Sequence, residues 1–83
     1  MGRPQELLAF GRTLRRARRD RDLSQDALAG SAGLGAKHVS ELERANRDPR
    51  LTTILKLAAA LDVRASDLIA LFEEQLEAAS EQA

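Results

Sequence analysis

The fold is decided by residues 24–44, which read SQDALAGSAGLGAKHVSELER. Ser24 can cap a helix that begins after it, and the glycine-rich run 30–35 ends that helix and opens another. In the second half, Val39 and Leu42 lie three residues apart, so they share one face of a helix. The stretch therefore predicts two short helices joined by a connection of about four residues, 32–35.

Apolar residues at helical spacing predict three further helices around this pair. A helix of about residues 5–21 precedes it, and helices of about residues 52–61 and 65–79 follow it. Pro49 separates the third helix from the fourth, because the residue before a proline is biased away from helical angles. No segment shows the alternation typical of a strand, and we predict a compact all-α fold of five helices.

The length of the chain bounds its organisation. Its 83 residues suffice for one small domain. We predict that domain over residues 6–79, with a flexible arm at 1–5 and a frayed tail at 80–83. The longest apolar run, residues 57–61, is too short to cross a membrane, and the start of the chain lacks the apolar region of a signal peptide. We therefore expect a cytoplasmic protein without a membrane partner.

Composition excludes most catalytic and metal sites. The chain has no cysteine and one histidine, so it can build neither a thiolate zinc site nor a multi-histidine site. The candidate nucleophiles and base are Ser24, Ser40 and His38, but His38 and Ser40 lie two apart on a helix and point in different directions. We expect no enzyme activity, no metal and no cofactor.

The net charge of zero conceals an uneven distribution. Residues 1–50 contain 11 basic and 7 acidic residues, whereas residues 51–83 contain 2 basic and 6 acidic ones. The basic first half indicates a polyanionic partner on one side of the domain, although a solvated charged surface explains the same pattern. Four arginines of the first helix are open to both interpretations: Arg12, Arg15, Arg16 and Arg19.

The two short helices and their connection have the geometry of a helix-turn-helix, whose second helix can enter the major groove of DNA. Four blocks occur in order along the chain: LSQDALA at 23–29, AGL at 32–34, VSELER at 39–44 and RDP at 47–49. Together with LKLAAALDV at 55–63, they resemble the lambda-repressor-like helix-turn-helix family, of the Cro and phage-repressor type. The resemblance covers about residues 7–72 and implies a five-helix DNA-binding domain with the motif at helices 2 and 3.

The resemblance implies that one face of the third helix reads bases. Lys37 suits guanine, Ser40 suits either base, and Glu41 suits the amino group of cytosine or braces a neighbouring arginine. Ala36 departs from family members that carry a long polar side chain there, and it offers only a methyl contact to thymine. Six residues match positions at the DNA backbone, with an ordinary surface role as the alternative for Gln25 and His38. They are Ser24, Gln25, His38, Arg44, Asn46 and Arg47.

The resemblance also implies two structural features. Arg18 and Glu43 match residues that form an ion pair between the first helix and the end of the reading helix. Family members usually carry glycine where Ala45 stands, so we expect Asn46 to adopt the left-handed conformation in its place.

The last helix carries an apolar stripe longer than a four-helix core needs. This length indicates a dimer interface within about residues 65–79, although packing inside one domain is the alternative. A homodimer would place two reading helices about one turn of DNA apart on a palindromic operator. The candidate interface residues are Leu68, Ile69, Leu71, Phe72 and Leu76.

These expectations combine into one functional hypothesis. The chain is expected to be a homodimeric, sequence-specific and autoregulatory transcription regulator of double-stranded DNA, with RNA polymerase as a further candidate partner. The small size resembles controller proteins of restriction–modification systems, and small prophage repressors and antitoxin-type regulators are alternatives. A protein-interaction module on the same fold is the alternative from a different class.

Overall fold

The computed structural model describes residues 4–82, which form five α-helices. In chain order they are α1 (Gln5–Asp20), α2 (Gln25–Ala32), α3 (Ala36–Glu43), α4 (Leu51–Ala60) and α5 (Ala65–Gln82). Residues 4–82 contain no strand, so the all-α prediction is confirmed. None of these helices combines the length and the apolar character needed to cross a membrane.

The two ends of the chain are more helical than predicted. Helix α1 already begins at Gln5, the last residue of the predicted arm, and residues 1–3 of that arm lie outside the described residues. Helix α5 continues through residues 80–82, where a frayed tail was predicted, and Ala83 is not described. The reason is composition, because residues 75–82 contain only Gln, Leu, Glu, Ala and Ser, without a helix-breaking Gly or Pro.

All five helices contribute to one hydrophobic core. Six leucines are almost completely buried in it. Phe10 of α1 and Phe72 of α5 meet edge to face, with ring centroids 6.1 Å apart, where the first and last helices pack together. The core therefore joins both ends of the chain around α2, α3 and α4. The six leucines are Leu14, Leu28, Leu42, Leu57, Leu61 and Leu68.

Local signals set the limits of α2. The Ser24 hydroxyl accepts a hydrogen bond of 3.0 Å from the Ala27 amide, as expected of a helix cap. Gly33 has a φ of 70°, which glycine adopts without steric cost, and it directs the chain into α3. The Leu34 amide then donates to the Ala29 carbonyl over 2.8 Å. These contacts place α3 across the end of α2 after a short turn.

The turn after α3 differs from the prediction. Ala45, with a φ of 60°, adopts the left-handed conformation that we expected of Asn46. The reason is the hydrogen bonding of the helix end, because the Asn46 amide reaches back to the Glu41 carbonyl over 2.8 Å. That bond requires the left-handed residue immediately before Asn46. The Ala45 methyl group is buried there in the domain.

Candidate nucleic-acid interface

Helix α3 is held from one side and open on the other. Val39 and Leu42 are buried in the core, while Lys37 is exposed and Ser40 and Glu41 are half-buried. The four predicted base-reading residues follow the helical spacing of one face, opposite these two core residues. Ala36 packs partly against the core, so it adds little to the open face. The surface for reading bases is therefore formed mainly by three polar side chains.

The polar residues of this face differ in how free they are. Within residues 4–82, Lys37 has neither a hydrogen bond nor an ion pair, so its ammonium group is free for a ligand. Glu41 instead pairs with Arg47, with 3.2 Å between Oε1 and Nη2. Of the two roles predicted for Glu41, the structure contains the brace for a neighbouring arginine. This brace holds Arg47 beside the open face.

A cluster around Glu43 fixes the end of α3 to the two preceding helices. The Glu43 side chain is only 3% exposed and accepts hydrogen bonds from Arg18 Nε at 2.6 Å and Nη2 at 3.0 Å. Gln25 Nε2 donates to the same carboxylate at 3.0 Å, and Arg18 Nη1 donates to the Leu23 carbonyl at 2.8 Å. The predicted ion pair is thus present, and Gln25 belongs to its network.

The Glu43 cluster keeps Arg18 charged in the domain. The hydrogen bond to Glu43 raises the pKa of Arg18, and the negative charge of Glu43 acts in the same direction against the effect of burial. One carboxylate thereby connects α1, α2 and α3 through fully hydrogen-bonded charges. Such a connection sets the orientation of α3, which decides which of its side chains reach a ligand.

The contribution of Gly11 to this arrangement was not predicted from the sequence. A Cβ atom at Gly11 would lie 2.6 Å from the Glu43 carbonyl oxygen and 2.9 Å from that of Leu42. Helix α1 therefore crosses the end of α3 at a distance that only glycine permits. The available signal was a glycine inside an otherwise strongly helical segment, which costs stability unless packing requires it.

The other predicted backbone residues lie at the two ends of the helix pair. Ser24 is exposed at the start of α2, and Arg44 donates from Nε to the Ser40 carbonyl at 3.3 Å, near the end of α3. Asn46 follows in the exposed turn, and His38 is half-buried on α3. Their contact with phosphate stays a prediction, as do the base contacts.

The structure corrects the predicted dimer interface. Leu68 is 0% exposed and belongs to the core, so it cannot contact a second copy. Phe72 is largely committed to Phe10 and the core. The physical reason is that these two residues occupy the face of α5 that packs against α1, which the spacing alone could not distinguish from an outer face. Leu71 is exposed, and Ile69 and Leu76 are half-buried.

Two exposed leucines of α4 were missed as interface candidates. Leu51 is 73% exposed and Leu55 is 52% exposed, one helical turn apart. On the same helix, Ile54 lines an apolar groove of about 160 Å³ together with Ile69 of α5. The sequence offered a weak signal, since the apolar stripe of α4 is wider than its core contacts require.

The similarity of this chain to known proteins includes the helix-turn-helix described above. The HTH_3 family profile, described as helix-turn-helix, matches residues 14–68 and so includes all of α2, α3 and α4. A Sinorhizobium fredii protein, the uncharacterized HTH-type transcriptional regulator y4dJ, is 34% identical over 59 residues, which are 71% of this chain and 77% of that protein.

Two solved structures share the fold. The restriction-modification controller protein C.AhdI from Aeromonas hydrophila is 44% identical, with a TM-score of 0.73 over 75% of this chain and 94% of that one. The controller protein C.Esp1396I, solved as a tetramer with its natural 35 base-pair operator, has a TM-score of 0.80. Its identity is 17%, over 86% of this chain and 93% of that one, and shows the fold alone.

Proposed function

The chain belongs to the HTH_3 helix-turn-helix family of DNA-binding transcriptional regulators, and on this premise we propose that it binds a palindromic operator as a homodimer. The observation that carries the proposal is the open face of α3, a helix whose end is fixed to α1 and α2 by the Glu43 cluster. A helix fixed in this way can enter the major groove without reorganisation of the domain.

Base reading is assigned to the free side chains of α3. Lys37 donates to guanine acceptors, and Ser40 contacts either base of a pair. Glu41 acts mainly through Arg47, which it holds at 3.2 Å for contact with phosphate. Phosphate contacts at both ends of the helix pair then set the register of α3 in the groove. They come from Ser24, Gln25, His38, Arg44, Asn46 and Arg47.

The proposed interface of the homodimer is the outer surface that α4 and α5 share. Leu51 and Leu55 are the most exposed large apolar residues among those described, and such residues are stabilised when a second copy covers them. The groove between Ile54 and Ile69 continues this surface onto α5. A twofold axis through it would relate two copies of α3, as a palindromic operator requires. Leu71 and Leu76 lie at its edge in this proposal.

The proposed physiological role is control of a restriction–modification operon, with autoregulation through the regulator's own promoter. The support is the 44% identity to the controller protein C.AhdI, which covers 94% of that protein. Such a role places the protein in the cytoplasm, with RNA polymerase as a candidate partner at the promoter. Prophage repressors, antitoxin-type regulators and a protein-interaction module are the alternatives, and a methyltransferase or endonuclease gene beside this one would favour the controller.

DNA binding is tested by fluorescence anisotropy with the DNA upstream of the gene and with scrambled DNA, each at two salt concentrations. We expect tight binding to the upstream DNA that survives scrambled competitor, and a salt slope that counts the phosphate contacts. Equal, weak binding to both would place the operator elsewhere. Absence of binding at either salt would contradict the proposal and favour the interaction module.

Two variants separate base reading from backbone contact. Lys37→Ala should cost roughly 1–3 kcal/mol on the operator and relax the preference at one base pair. Arg47→Ala should weaken binding to operator and scrambled DNA alike and flatten the salt slope by about one unit. Arg64→Ala, on the exposed turn between α4 and α5, is the matched control and should bind like the parent protein. A preference profile unchanged by Lys37→Ala would remove Lys37 from the reading residues.

The dimer is tested by sedimentation of two leucine variants. Leu55→Ser should shift the protein towards the monomer and weaken operator binding, because it removes exposed apolar surface from the proposed interface. Leu8→Ser, at an exposed leucine of α1, is the matched control and should leave the association constant unchanged. Equal effects of both substitutions would contradict the proposed location of the interface.

A further inference from the structure

A polar cavity lies between α3 and the beginning of α4, beside the open face but not part of it. Its volume is about 370 Å³. Three permanent cations surround it, Arg47 and Arg50 from the turn and Lys56 from α4, and His38 projects from α3. The one carboxylate in its lining is that of Asp48. The cavity is thus a basic pocket with room for a small anion.

The start of α4 adds to the positive potential of the pocket. Arg50 is the residue that precedes the helix, its side chain does not cap it, and the first turn contains no acidic residue. Amide groups at the beginning of a helix favour an anion, and a cation placed there is destabilising. Arg50 therefore costs stability at this position unless an anion lies close to it.

The positive charges of the pocket affect the pKa of His38. Partial burial lowers the pKa of His38, and the charge of Arg47 and, more weakly, that of Lys56 lower it further, against an opposing effect of Glu41. The charged groups facing it are Glu41 on α3, Arg47 and Asp48 in the turn, Arg50 before α4 and Lys56 on α4. Helices α1, α2 and α5 contribute no charged group to the described lining.

We propose that this pocket binds a phosphate group and that protonated His38 donates a hydrogen bond to it. A phosphate oxygen would bring negative charge next to the imidazole, so proton uptake by His38 and phosphate binding would strengthen each other. The inference rests on the proposed function, in which the phosphate belongs to the DNA backbone. A free phosphate-bearing ligand offers the same chemistry, and the experiment separates the two sources.

The proposal makes DNA binding depend on pH near neutrality. The chain contains one histidine, the side chain whose charge ordinarily changes between pH 5 and 8. Because a bound phosphate raises the pKa of His38 in this proposal, we expect the affinity for DNA to rise by about three- to tenfold between about pH 8 and pH 5.5. The same change with random-sequence DNA is expected, because backbone phosphate carries no sequence.

The test uses the imidazole signals of His38, which nuclear magnetic resonance observes without overlap from another histidine. The pKa of His38 is measured in the full chain alone, with sodium sulfate, and with a random-sequence DNA duplex. Sulfate is the probe because it stays doubly charged over the titration, and sodium chloride of equal ionic strength corrects for screening. DNA binding is followed by anisotropy in the same samples.

Each outcome decides the proposal. If DNA raises the pKa of His38, whether or not sulfate also raises it, the result supports a phosphate of the DNA backbone. If only sulfate raises the pKa, the result supports a free anion as the source. No rise with either probe overturns the proposal, although DNA binding would then still uphold the proposed function. If the chain binds no DNA, the proposed function fails while the sulfate samples still decide whether the pocket takes an anion.

Two variants test whether His38 and its neighbours act together. His38→Gln should remove the pH dependence of DNA affinity, which proton linkage puts at about three- to tenfold. The variant should bind DNA at every pH as the parent protein does at high pH. Lys56→Gln should reduce the pKa rise caused by sulfate or DNA. Arg64→Gln is the matched control outside the pocket and should change neither quantity.

Discussion

Replacement of Gly11 by alanine tests the contact on which the orientation of α3 depends. General helix propensity predicts that Gly→Ala inside a helix stabilises by about 0.5–1 kcal/mol. The structure predicts the opposite sign, because the new Cβ atom would lie 2.6 Å from the Glu43 carbonyl oxygen, whereas ordinary contact begins at 3.4 Å. The neighbour is backbone, so it cannot turn away as a flexible side chain would.

The magnitude follows from the overlap. To restore ordinary contact, α1 and α3 must separate by up to about 0.8 Å, the difference between those two distances. Overpacking of this kind costs about 1–3 kcal/mol, and helix propensity returns about 0.5–1 kcal/mol. Subtraction leaves a net loss of at most about 2.5 kcal/mol, and of about 1 kcal/mol at the middle of the two ranges, out of an unfolding free energy near 4–12 kcal/mol for a chain of this length. The melting temperature should fall by about 4–8 °C for each kcal/mol lost.

The assay is thermal and urea unfolding followed by circular dichroism, with Gly30→Ala as the matched control. Gly30 lies inside α2 with no atom within 4 Å of the added Cβ, so Gly30→Ala should stabilise by about 0.5–1 kcal/mol. Gly11→Ala should also weaken operator binding, because it moves the end of α3. If Gly11→Ala stabilises as Gly30→Ala does, the close approach of α1 to α3 is wrong.

Three further predictions concern stability. Glu43→Ala should cost about 2–4 kcal/mol in urea unfolding, because the Arg18 side chain, which is 11% exposed in the parent protein, loses its carboxylate partner. Additive losses with Arg18→Ala would contradict a shared interaction. Ala45→Gly should raise the melting temperature, because glycine avoids an expected cost of about 1 kcal/mol at positive φ; a lower value would show that the buried methyl group matters more. The fold lowers the pKa of His38, so the free energy of unfolding should have its full value above about pH 6.5. Below that pH it should fall, because the unfolded chain takes up the proton first. His38→Gln should lack this loss in melting experiments over the same pH range.

The sequence predicts those parts of the fold that depend on neighbouring residues. The cap at Ser24 and the left-handed turn at Gly33 each depend on a few adjacent residues, and both limit α2 as expected. The resemblance also implied the Arg18–Glu43 pair, which spans 25 positions and is present. Spacing along one helix, by contrast, cannot tell how wide its buried face is.

The unknown width of each buried face explains the wrong interface predictions. Leu68 and Leu55 both belong to apolar stripes, yet the first is in the core and the second is half exposed, because the neighbouring helices cover one and not the other. Gly11 and Ala45 show the same dependence on distant contacts. The close approach to Glu43 and the hydrogen bond behind Ala45 exist only in the assembled domain.

A core completed within one chain has a consequence for how such a regulator responds to its own abundance. Leu68 and Phe72 pack inside the domain, so these core contacts need no second copy of the chain. For a regulator that acts as a dimer, operator occupancy then rises with the square of the concentration while monomers predominate. In the proposed dimer, the exposed leucines of α4 would set the concentration at which this steep rise in occupancy begins, and therefore how long after the start of synthesis the operator responds.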